Sequence, residues 1–400
     1  MPIPSTSSEK PEQKLPREAY ISQDWLEQER SSLFANSWYF AGIDSDFAEV
    51  GDYRTVRAGN YPLVVLKDRD GELRGFHNLC RHRGTELLEG KGNAGRTIIC
   101  PYHYWTYNLD GQLRGVPKQA ECFPGLDKKS IQLREAAIGH YNGLVFVNPQ
   151  ARPKDSFETW LASMPELGWP HDVNSADLQE FEGDVVYEIK CNWKVLFENA
   201  IDGYHLAYLH KNTLGGPVAD KNVWEATGRH MIWYSTERDG HKNRVPEYVE
   251  RHADSSWTTK IKGAEEPGYG GVYMLFPCTI ITPSPWSITI SSLEPVDANT
   301  TLMRARSWSP KGWLSYREKV EDIPGYNKES GLIKSSNWTV PPLETGDFQT
   351  EDIWICEKMQ RSLQSPMYSI SALACGAGGE APLTFFQQCV VEALQEKPEQ

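Results

Sequence analysis

Two short segments, each with one cysteine and one histidine, constrain the fold of this chain more than any other feature. They read Cys80-Arg-His82 and Cys100-Pro-Tyr-His103, and residues 83–99 separate them. Each follows a short apolar run, which predicts two loops whose tips converge. The four side chains could hold a tetrahedral zinc ion or a [2Fe–2S] cluster, or could be packed thiols and surface histidines. Either metal site requires the intervening chain to fold back so that the loops adjoin.

Charge counting favours the iron–sulfur interpretation. Half-sites of one cysteine and one histidine suit a cluster with both thiolates on one iron and both imidazoles on the other. Two ferric ions, two sulfides and two thiolates sum to zero charge, whereas a cluster with four thiolates carries two negative charges. Adding an electron to the neutral cluster costs less, so its potential is higher. Arg81 and Arg83, if not simply solvated, would favour the reduced form further.

A second pair of histidines follows in the helical stretch Trp193–His210. Asp202 and His205 are three residues apart and share a helix face. His205 and His210 are five apart, which separates them by about 140° around an ideal helix. They can bind one metal only if the helix is unwound or carries a π-bulge between them. Alone, such histidines would be better explained by packing or surface exposure; beside an iron–sulfur motif, a metal site is favoured.

Composition limits the remaining classes. The chain has 400 residues, 39% hydrophobic and 24% charged content, and a net charge of −13, which is typical of a globular protein and unfavourable for nucleic acid or anionic membrane surfaces. No apolar run approaches the roughly 18 residues of a membrane span. The start of the chain is polar and has no signal-peptide pattern. With eight cysteines and no secretion signal, we expect a cytoplasmic protein without disulfides.

The secondary-structure signals change along the chain. Short alternating runs with turns between them predict a small all-β domain from about Trp38 to Asn148. Beyond it, strands predicted at Leu275–Ile281, Trp286–Leu293 and Thr300–Trp308 follow the histidine-bearing helix, and the last predicted helix covers Glu351–Leu363. The polar segment 239–271 lacks periodicity and is interpreted as a mobile loop or lid. The expected fold class is therefore α+β.

The motifs resemble those of the Rieske non-haem iron oxygenases, in the large (alpha) subunit of the ring-hydroxylating oxygenase family. The cysteine–histidine segments, with their neighbouring glycines and aromatics, match its Rieske motif, and Asn192-Trp-Lys through His210 matches its N-W-K…E-N…D-x-Y-H-x4-H pattern. The resemblance runs from about Leu15 to the C-terminal helix. It implies a small all-β Rieske [2Fe–2S] domain inserted in a catalytic domain with a curved antiparallel sheet flanked by helices. The implied extents are 38–150 for the Rieske domain, 151–400 for the catalytic domain, and 1–37 for a segment packing with the latter.

The resemblance also implies site roles. Cys80, His82, Cys100 and His103 would hold the [2Fe–2S] cluster, and His205, His210 and Asp352 a mononuclear Fe(II) in the two-histidine, one-carboxylate arrangement of non-haem oxygenases. Asp352 is chosen from the segment Glu351-Asp352-Ile353, with Asp347 as the alternative. An acidic residue in a first helical turn also complements the helix dipole. Asp202 would link the iron to the Rieske histidine of a neighbouring subunit.

The implied activity is the oxidation of a small substrate, which we expect to be aromatic, with O2. The electrons would come from NAD(P)H through a separate reductase, with or without a ferredoxin. A homotrimer is expected, with or without a small beta subunit. Oxidative N- or O-demethylation and monooxygenation of quaternary amines are the alternatives; some relatives acting on quaternary amines carry glutamate in place of Asp202. Phe197, Leu206 and nearby aromatics are expected to contact substrate. More remote alternatives are an electron-transfer protein without catalysis and a zinc-stabilised interaction protein.

Overall fold

The structure is a computed structural model that describes residues 10–167, 173–174, 178–181, 183–213, 222–235, 271–284, 287–311, 319–376 and 378–395. It divides into two compact units. One is continuous, Phe34–Trp160; the other consists of the chain before it, to Leu33, and the chain after it, from Leu161. The loop or lid predicted at 239–271 lies outside the described residues except for its last position. No helix in the described ranges is long and apolar enough to cross a membrane.

The continuous unit is built from two antiparallel sheets. Its strands are β1 (Tyr39–Ile43), β2 (Asp52–Ala58), β3 (Tyr61–Lys67), β4 (Leu73–His77), β5 (Lys91–Asn93), β6 (Thr97–Ile99), β7 (Thr106–Asn108), β8 (Leu113–Gly115), β9 (Glu135–Tyr141) and β10 (Leu144–Asn148). Seven of them form one sheet in the order β1-β10-β9-β4-β3-β2-β5, and β6-β7-β8 form the other.

Apolar side chains fill the core of this unit. Val64, Leu66 and Phe76 from the large sheet share one buried cluster with Ile98 and Tyr107 from the small sheet. Strand β3 has four consecutive buried residues, which fits its place inside the sheet, where both faces are covered.

The unit extends past the predicted limit of 150. The ring of Phe157 lies 5.1 Å from that of Trp38 and 5.3 Å from that of Phe146, which holds the following segment against β1 and β10. The compact unit is therefore Phe34–Trp160, and the extent 38–150 of the Rieske domain stays a prediction.

The discontinuous unit is centred on a ten-stranded sheet. The strands are β11 (Leu178–Glu180), β12 (Val185–Ile189), β13 (Asn222–Thr227), β14 (His230–Ser235), β15 (Gly271–Leu275), β16 (Thr279–Ser284), β17 (Ser287–Asp297), β18 (Thr300–Pro310), β19 (Tyr326–Asn327) and β20 (Leu332–Lys334). Their order is β13-β14-β15-β16-β17-β18-β12-β20-β19, with β11 paired to β18. Among these described pairings only β12–β20 is parallel, and the predicted α+β class is confirmed.

The helices of the described chain are α1 (Glu18–Ile21), α2 (Gln23–Ser31), α3 (Gln119–Cys122), α4 (Phe157–Leu161), α5 (Trp193–Ile201), α6 (Leu206–Leu209), α7 (Phe348–Leu363) and α8 (Ala381–Gln395). Two predicted elements were wrong in detail. The single strand predicted at Leu275–Ile281 is interrupted by a turn at 276–278, between the end of β15 and the start of β16, with a cis bond before Pro277. Helix α7 begins three residues before the predicted Glu351, and α8 was not predicted.

The N-terminal segment is bound to later elements of the discontinuous unit. The backbone N–H groups of Glu12 and Lys14 donate to Thr384 Oγ1 (2.9 Å) and Gln387 Oε1 (2.7 Å) of α8. The Lys194 ammonium of α5 lies 2.6 Å from Glu29 of α2, and both side chains are fully buried. Trp193 Nε1 donates to the other oxygen of the Glu29 carboxylate. Helix α5 is thus fixed by the N-terminal segment.

Candidate metal centres

The two cysteine–histidine segments form loops with the same backbone hydrogen bonds. In the first, Cys80 N–H donates to the carbonyl of Thr85 (2.8 Å) and its carbonyl accepts from Gly84 (2.9 Å). In the second, Cys100 N–H donates to the carbonyl of Trp105 (2.9 Å) and its carbonyl accepts from Tyr104 (3.0 Å). Each cysteine therefore opens a tight loop that closes four and five residues later.

The matching loops need a left-handed residue at the same position. Gly84 has φ +76° in the first loop and Tyr104 has φ +59° in the second. Glycine adopts this conformation freely, whereas a residue with a Cβ atom pays about 1–2 kcal/mol. The second loop thus carries strain that the first avoids.

The loops meet at their histidines. The His82 and His103 rings have centroids 4.7 Å apart, and the Trp105 indole stacks on His82 at 4.8 Å. Cys80 and Cys100 are buried. His82 Nδ1 is buried and has no hydrogen-bond partner in the described structure, and burial, then His103 and Arg83, lower the pKa of this imidazole. A neutral imidazole with a buried lone pair beside two buried thiols fits a cluster ligand set.

Tyr107 supports the first cysteine of this set. Its hydroxyl accepts from the Arg81 N–H at 3.0 Å and lies 3.2 Å from Cys80 Sγ. Since the N–H of Arg81 occupies a lone pair of the Tyr107 oxygen, the Tyr107 hydroxyl proton can be donated to Cys80 Sγ. Burial, followed by the contact with Cys80, raises the pKa of Tyr107 well above its ordinary value, so the phenol stays protonated and able to donate.

The second histidine pair follows a break between two helices. Helix α5 ends at Ile201 and α6 starts at Leu206, with His205 before it and His210 after it. The predicted irregularity exists, but it lies before His205 and not between the histidines, which bracket one four-residue turn. A Cβ atom on Gly203 would come within 2.8 Å of Trp233 Nε1. Glycine therefore lets the break pack against the indole.

Asp352 of α7 lies beside both imidazoles. His205 Nε2 is 3.1 Å from His210 Nε2, and Asp352 Oδ1 lies 3.5 Å from the first and 3.0 Å from the second. Ligands about 2.1 Å from one ion and at right angles to each other are about 3.0 Å apart. The spacing is that of three ligand atoms on one face of a metal ion.

The electrostatics also fit a bound cation. Asp352 Oδ1 is buried without a hydrogen-bond partner among the described groups. Burial opposes charge on His205, yet the carboxylates of Asp202 and Asp352 raise its pKa to about 10. Burial likewise raises the pKa of Asp352, but the two histidines outweigh it and leave that pKa below its usual value. The carboxylates around the two histidines therefore favour a positive charge at this site, and a bound metal ion would supply that charge.

Each histidine is backed by a second carboxylate, with unequal geometry. His210 Nδ1 lies 2.7 Å from Glu351 Oε2, which also accepts from Thr213 Oγ1 at 2.7 Å. His205 Nδ1 is 3.3 Å from Asp202 Oδ2 but out of line for a hydrogen bond. Sequence reasoning missed the roles of Glu351 and Thr213. Their only signal was the acidic residue beside Asp352, which the helix dipole explained equally well.

The alternative ligand Asp347 has another role. One oxygen accepts from Gln349 N–H at 3.3 Å and the other from Thr350 Oγ1 at 2.6 Å. It is the N-cap of α7, the usual place for such a side chain. Phe197, expected to contact substrate, is fully buried and packs on Phe386 at 4.6 Å, so it belongs to the core.

Comparison with known proteins gives both halves of the chain a family. The Rieske [2Fe-2S] domain family matches residues 37–132, and the ring hydroxylating alpha subunit (catalytic domain) family matches residues 176–396. The chain belongs to the ring-hydroxylating alpha subunit family. It is a Rieske non-haem iron oxygenase, and its cofactors are a [2Fe–2S] cluster and a mononuclear iron.

Individual relatives of this Rieske oxygenase differ in substrate. It is 28% identical over 359 residues to the carnitine monooxygenase oxygenase subunit of Acinetobacter pittii (strain PHEA-2), covering 88% of this chain and 86% of that one. It is 33% identical over 202 residues to the anthranilate 1,2-dioxygenase large subunit of Acinetobacter baylyi (strain ATCC 33305 / BD413 / ADP1), covering 50% and 43%. A solved quaternary ammonium Rieske monooxygenase, studied for carnitine oxidation and inter-subunit electron transfer, superposes with a TM-score of 0.71 at 26% identity, covering 95% of each chain.

Proposed function

We propose that this oxygenase oxidises a small organic substrate beside the face formed by His205, His210 and Asp352. The observation that carries the proposal is the spacing of those three ligand atoms, 3.0–3.5 Å apart around an unpartnered carboxylate oxygen. We assign the cluster to Cys80, His82, Cys100 and His103 and the iron to His205, His210 and Asp352. When bound, the cluster stores one electron and the iron activates dioxygen.

The residues around the metals prepare this chemistry. Glu351 holds the proton of His210 on Nδ1, which leaves Nε2 as the donor atom that faces Asp352. Burial of His210 and Glu351 excludes water from that side of the site. The half-buried His82 and His103, in contrast, lie nearer the surface than the buried Cys80. The imidazole side of the cluster is thus the side that an electron donor or acceptor can approach.

Asp202 is proposed as the electron bridge to another copy of the chain. Its carboxylate lies 3.3 Å from His205 Nδ1 and its side chain is 19% exposed, so one edge faces the iron ligand and another faces solvent. A structurally similar quaternary ammonium monooxygenase was studied for electron transfer between subunits. We propose a homotrimer, with an added small beta subunit as a variant to be tested, in the cytoplasm together with its reductase.

A quaternary ammonium or N-methyl compound is the first substrate class that we propose. The carnitine monooxygenase subunit of Acinetobacter pittii aligns over nearly nine-tenths of the chain. A solved quaternary ammonium monooxygenase superposes over 95% of it. Such alignments include the catalytic unit, where the substrate binds.

A small aromatic compound is the second class. Anthranilate 1,2-dioxygenase shares 33% identity over half of this chain. The two classes differ in the product they give, so one assay can separate them.

A single-turnover assay tests the function directly. The iron-loaded protein is reduced without air and then given oxygen with a mixed panel of N-methyl amines, aromatic acids, methoxy-aromatics and phenols. Loss of CH2 with formaldehyde indicates demethylation, one added oxygen indicates monooxygenation, and two oxygens with two hydrogens indicate ring dihydroxylation. A protein with no reducible cluster would contradict the assignment.

Two substitutions test the roles of the residues. His205→Ala should remove the mononuclear iron and turnover but keep the cluster spectrum; loss of that spectrum would contradict the ligand assignment. Asp202→Asn should retain both metals yet stop substrate oxidation in the fully reduced protein. Normal turnover in this variant would rule out the bridging role.

A further inference from the structure

A small open cavity lies in the discontinuous unit, before the start of α7. Its volume is about 250 Å³, which is below the roughly 300–1,000 Å³ of sites for drug-sized ligands and suits a smaller molecule. It is lined by the turn at 324–325 and by the segment 338–345, and none of the proposed metal ligands belongs to either. The side chains that line it are Pro324, Trp338, Thr339, Val340, Glu344 and Thr345.

The indole of Trp338 forms a rigid wall of this cavity. Gly325 has φ +87°, and a Cβ atom there would come within 2.8 Å of Trp338 Cδ1 and 2.9 Å of Nε1, so glycine lets the turn pack against this edge of the ring. The Trp338 N–H donates to the carbonyl of Ser335 at 3.1 Å, and the Asn337 amide donates to the carbonyl of Gly325 at 3.2 Å. Because the ring is already held in place, a ligand that contacts it has little ordering cost.

Glu344 gives the cavity its charge. Within the residues that the structure describes, its carboxylate has no hydrogen-bond or ion-pair partner, and no described lining residue carries a positive charge. The backbone of Glu344 is ordered in the 3-10 turn Pro342–Glu344, where its N–H donates to the carbonyl of Pro341 at 2.9 Å. The cavity therefore combines an aromatic ring with a carboxylate that no protein cation neutralises.

The lining segment is joined directly to the helix that carries a proposed iron ligand. The Asp347 N–H donates to Thr345 Oγ1 at 3.3 Å, and Asp347 is the N-cap of α7. The Glu351 N–H in turn donates to the carbonyl of Asp347 at 3.2 Å, and Asp352 follows Glu351. A ligand in the cavity would thus contact the chain immediately before the ligand-bearing turn of α7.

We propose that this cavity binds a small organic ammonium ion between the Trp338 ring and the Glu344 carboxylate. The quadrupole of an aromatic ring attracts a cation, and the carboxylate adds the opposite charge. The apolar side chains of Pro324 and Val340 suit the methyl groups of a methylated amine, whereas a divalent metal ion requires several oxygen ligands. The site is separate from the proposed iron ligands, so it stands whether the oxygenase acts on an amine or on an aromatic compound.

A titration with choline, followed through its N-methyl NMR signal, tests the site. The oxidised holoenzyme is used without a reductant, so that turnover cannot consume the probe. The neutral dimethylbutanol isostere, in which a carbon atom replaces the charged nitrogen, should bind about threefold more weakly or worse, as expected for loss of a cation–ring attraction at an exposed site. Equal binding of the two probes, or no saturable binding of choline, would overturn the proposal.

Substitutions locate the bound choline. Glu344→Gln and Trp338→Leu should each raise its dissociation constant about threefold or more, because each removes one of the two attractions. Glu321→Gln, which removes an exposed carboxylate outside the cavity, is the matched control and should bind choline like the parent. Binding that both cavity substitutions leave unchanged would place choline elsewhere and contradict the inference. The cluster spectrum and the thermal midpoint report folding, and the exposed position of Glu344 keeps its variant informative if Trp338→Leu does not fold.

Discussion

Glu351 Oε2 lies 2.7 Å from His210 Nδ1, and both side chains are only 1% exposed. The same oxygen accepts the hydroxyl of Thr213, whose backbone N–H bonds the carbonyl of His210 at 3.1 Å. His210 is therefore fixed from two sides, whereas Nδ1 of His205 has, among the described residues, the looser approach of Asp202. The two histidines proposed to bind iron are thus held with different rigidity.

This arrangement predicts that Glu351 controls iron binding. Glu351→Ala removes the acceptor of His210 Nδ1–H, and we expect iron affinity to fall about 10–100-fold, the usual cost of losing such a partner. Glu351→Gln keeps an acceptor but loses the charge, so its loss should be smaller. Anaerobic Fe(II) titration of protein with an intact cluster measures the effect.

Thr213→Val provides the comparison for Glu351. It removes one hydrogen bond to the carboxylate but leaves the carboxylate beside His210, so its iron affinity should lie between those of the parent and Glu351→Ala. Equal affinity of Glu351→Ala and the parent would show that His210 needs no such support.

Tyr107 should raise the potential of the cluster. Its hydroxyl lies 3.2 Å from Cys80 Sγ, and a hydrogen bond to a ligand sulfur stabilises the reduced form. Tyr107→Phe should lower the potential by roughly 40 mV, the one-electron equivalent of about 1 kcal/mol. Protein-film voltammetry measures the shift. Tyr102→Phe is the control, because the hydroxyl that it removes contacts Arg83. This variant should leave the potential unchanged, and an equal shift in both variants would contradict the assignment.

Gly203 should be required for the break between α5 and α6. In Gly203→Ala the new methyl group meets Trp233 Nε1 at 2.8 Å and Cζ2 at 3.0 Å, and such overpacking costs about 1–3 kcal/mol. We expect reduced iron content, because the shift moves His205. Trp233→Phe in the same protein makes room and should restore iron content, which a metal assay on the single and double variants would show. Failure of this rescue would place the defect elsewhere.

Glu198 should make thermal stability depend on pH. Burial raises the pKa of its carboxyl from 4.5 to about 7, despite hydrogen bonds from Tyr20 and Gln387. A carboxyl with a raised pKa in the folded state contributes stability below its unfolded pKa, and that contribution is lost as the pH rises through about 7. The difference between the pKa values of the unfolded and folded states corresponds to about 3 kcal/mol in the free energy of unfolding.

The comparison with Glu198→Gln isolates this group. The thermal midpoint of the parent should fall more steeply between about pH 5 and pH 8 than that of the variant, which cannot ionise there. Differential scanning fluorimetry at matched salt gives the two slopes. Parallel slopes would mean that Glu198 does not change its protonation on unfolding.

Both proposed centres were predicted from local sequence patterns. The cysteine–histidine loops and the pair His205/His210 are short patterns whose spacing reflects the metal chemistry itself. The α+β class followed from the change of periodicity along the chain and is confirmed. These features depend on neighbours in sequence, which a single chain displays directly.

The parts that could not be predicted depend on distant residues. The contact of Glu351 with Thr213 joins positions 138 apart, and nothing in either local pattern indicates it. The helix break was predicted between the histidines because ideal helix angles were applied to them; in the structure Gly203 and the indole of Trp233 place it earlier. The burial of Lys194 against Glu29 was equally invisible, since a lysine in a helix usually reaches solvent.

The division of the chain also sets the order in which a newly made protein can mature. The continuous unit, 34–160, is complete before the residues after Trp160 are translated, and domains generally fold as units during synthesis. Glu12 and Lys14 are made before this unit, but their hydrogen-bond partners lie in α8, which is made after it. The continuous unit can therefore fold before the discontinuous unit is complete, because the N-terminal segment of the discontinuous unit binds α8.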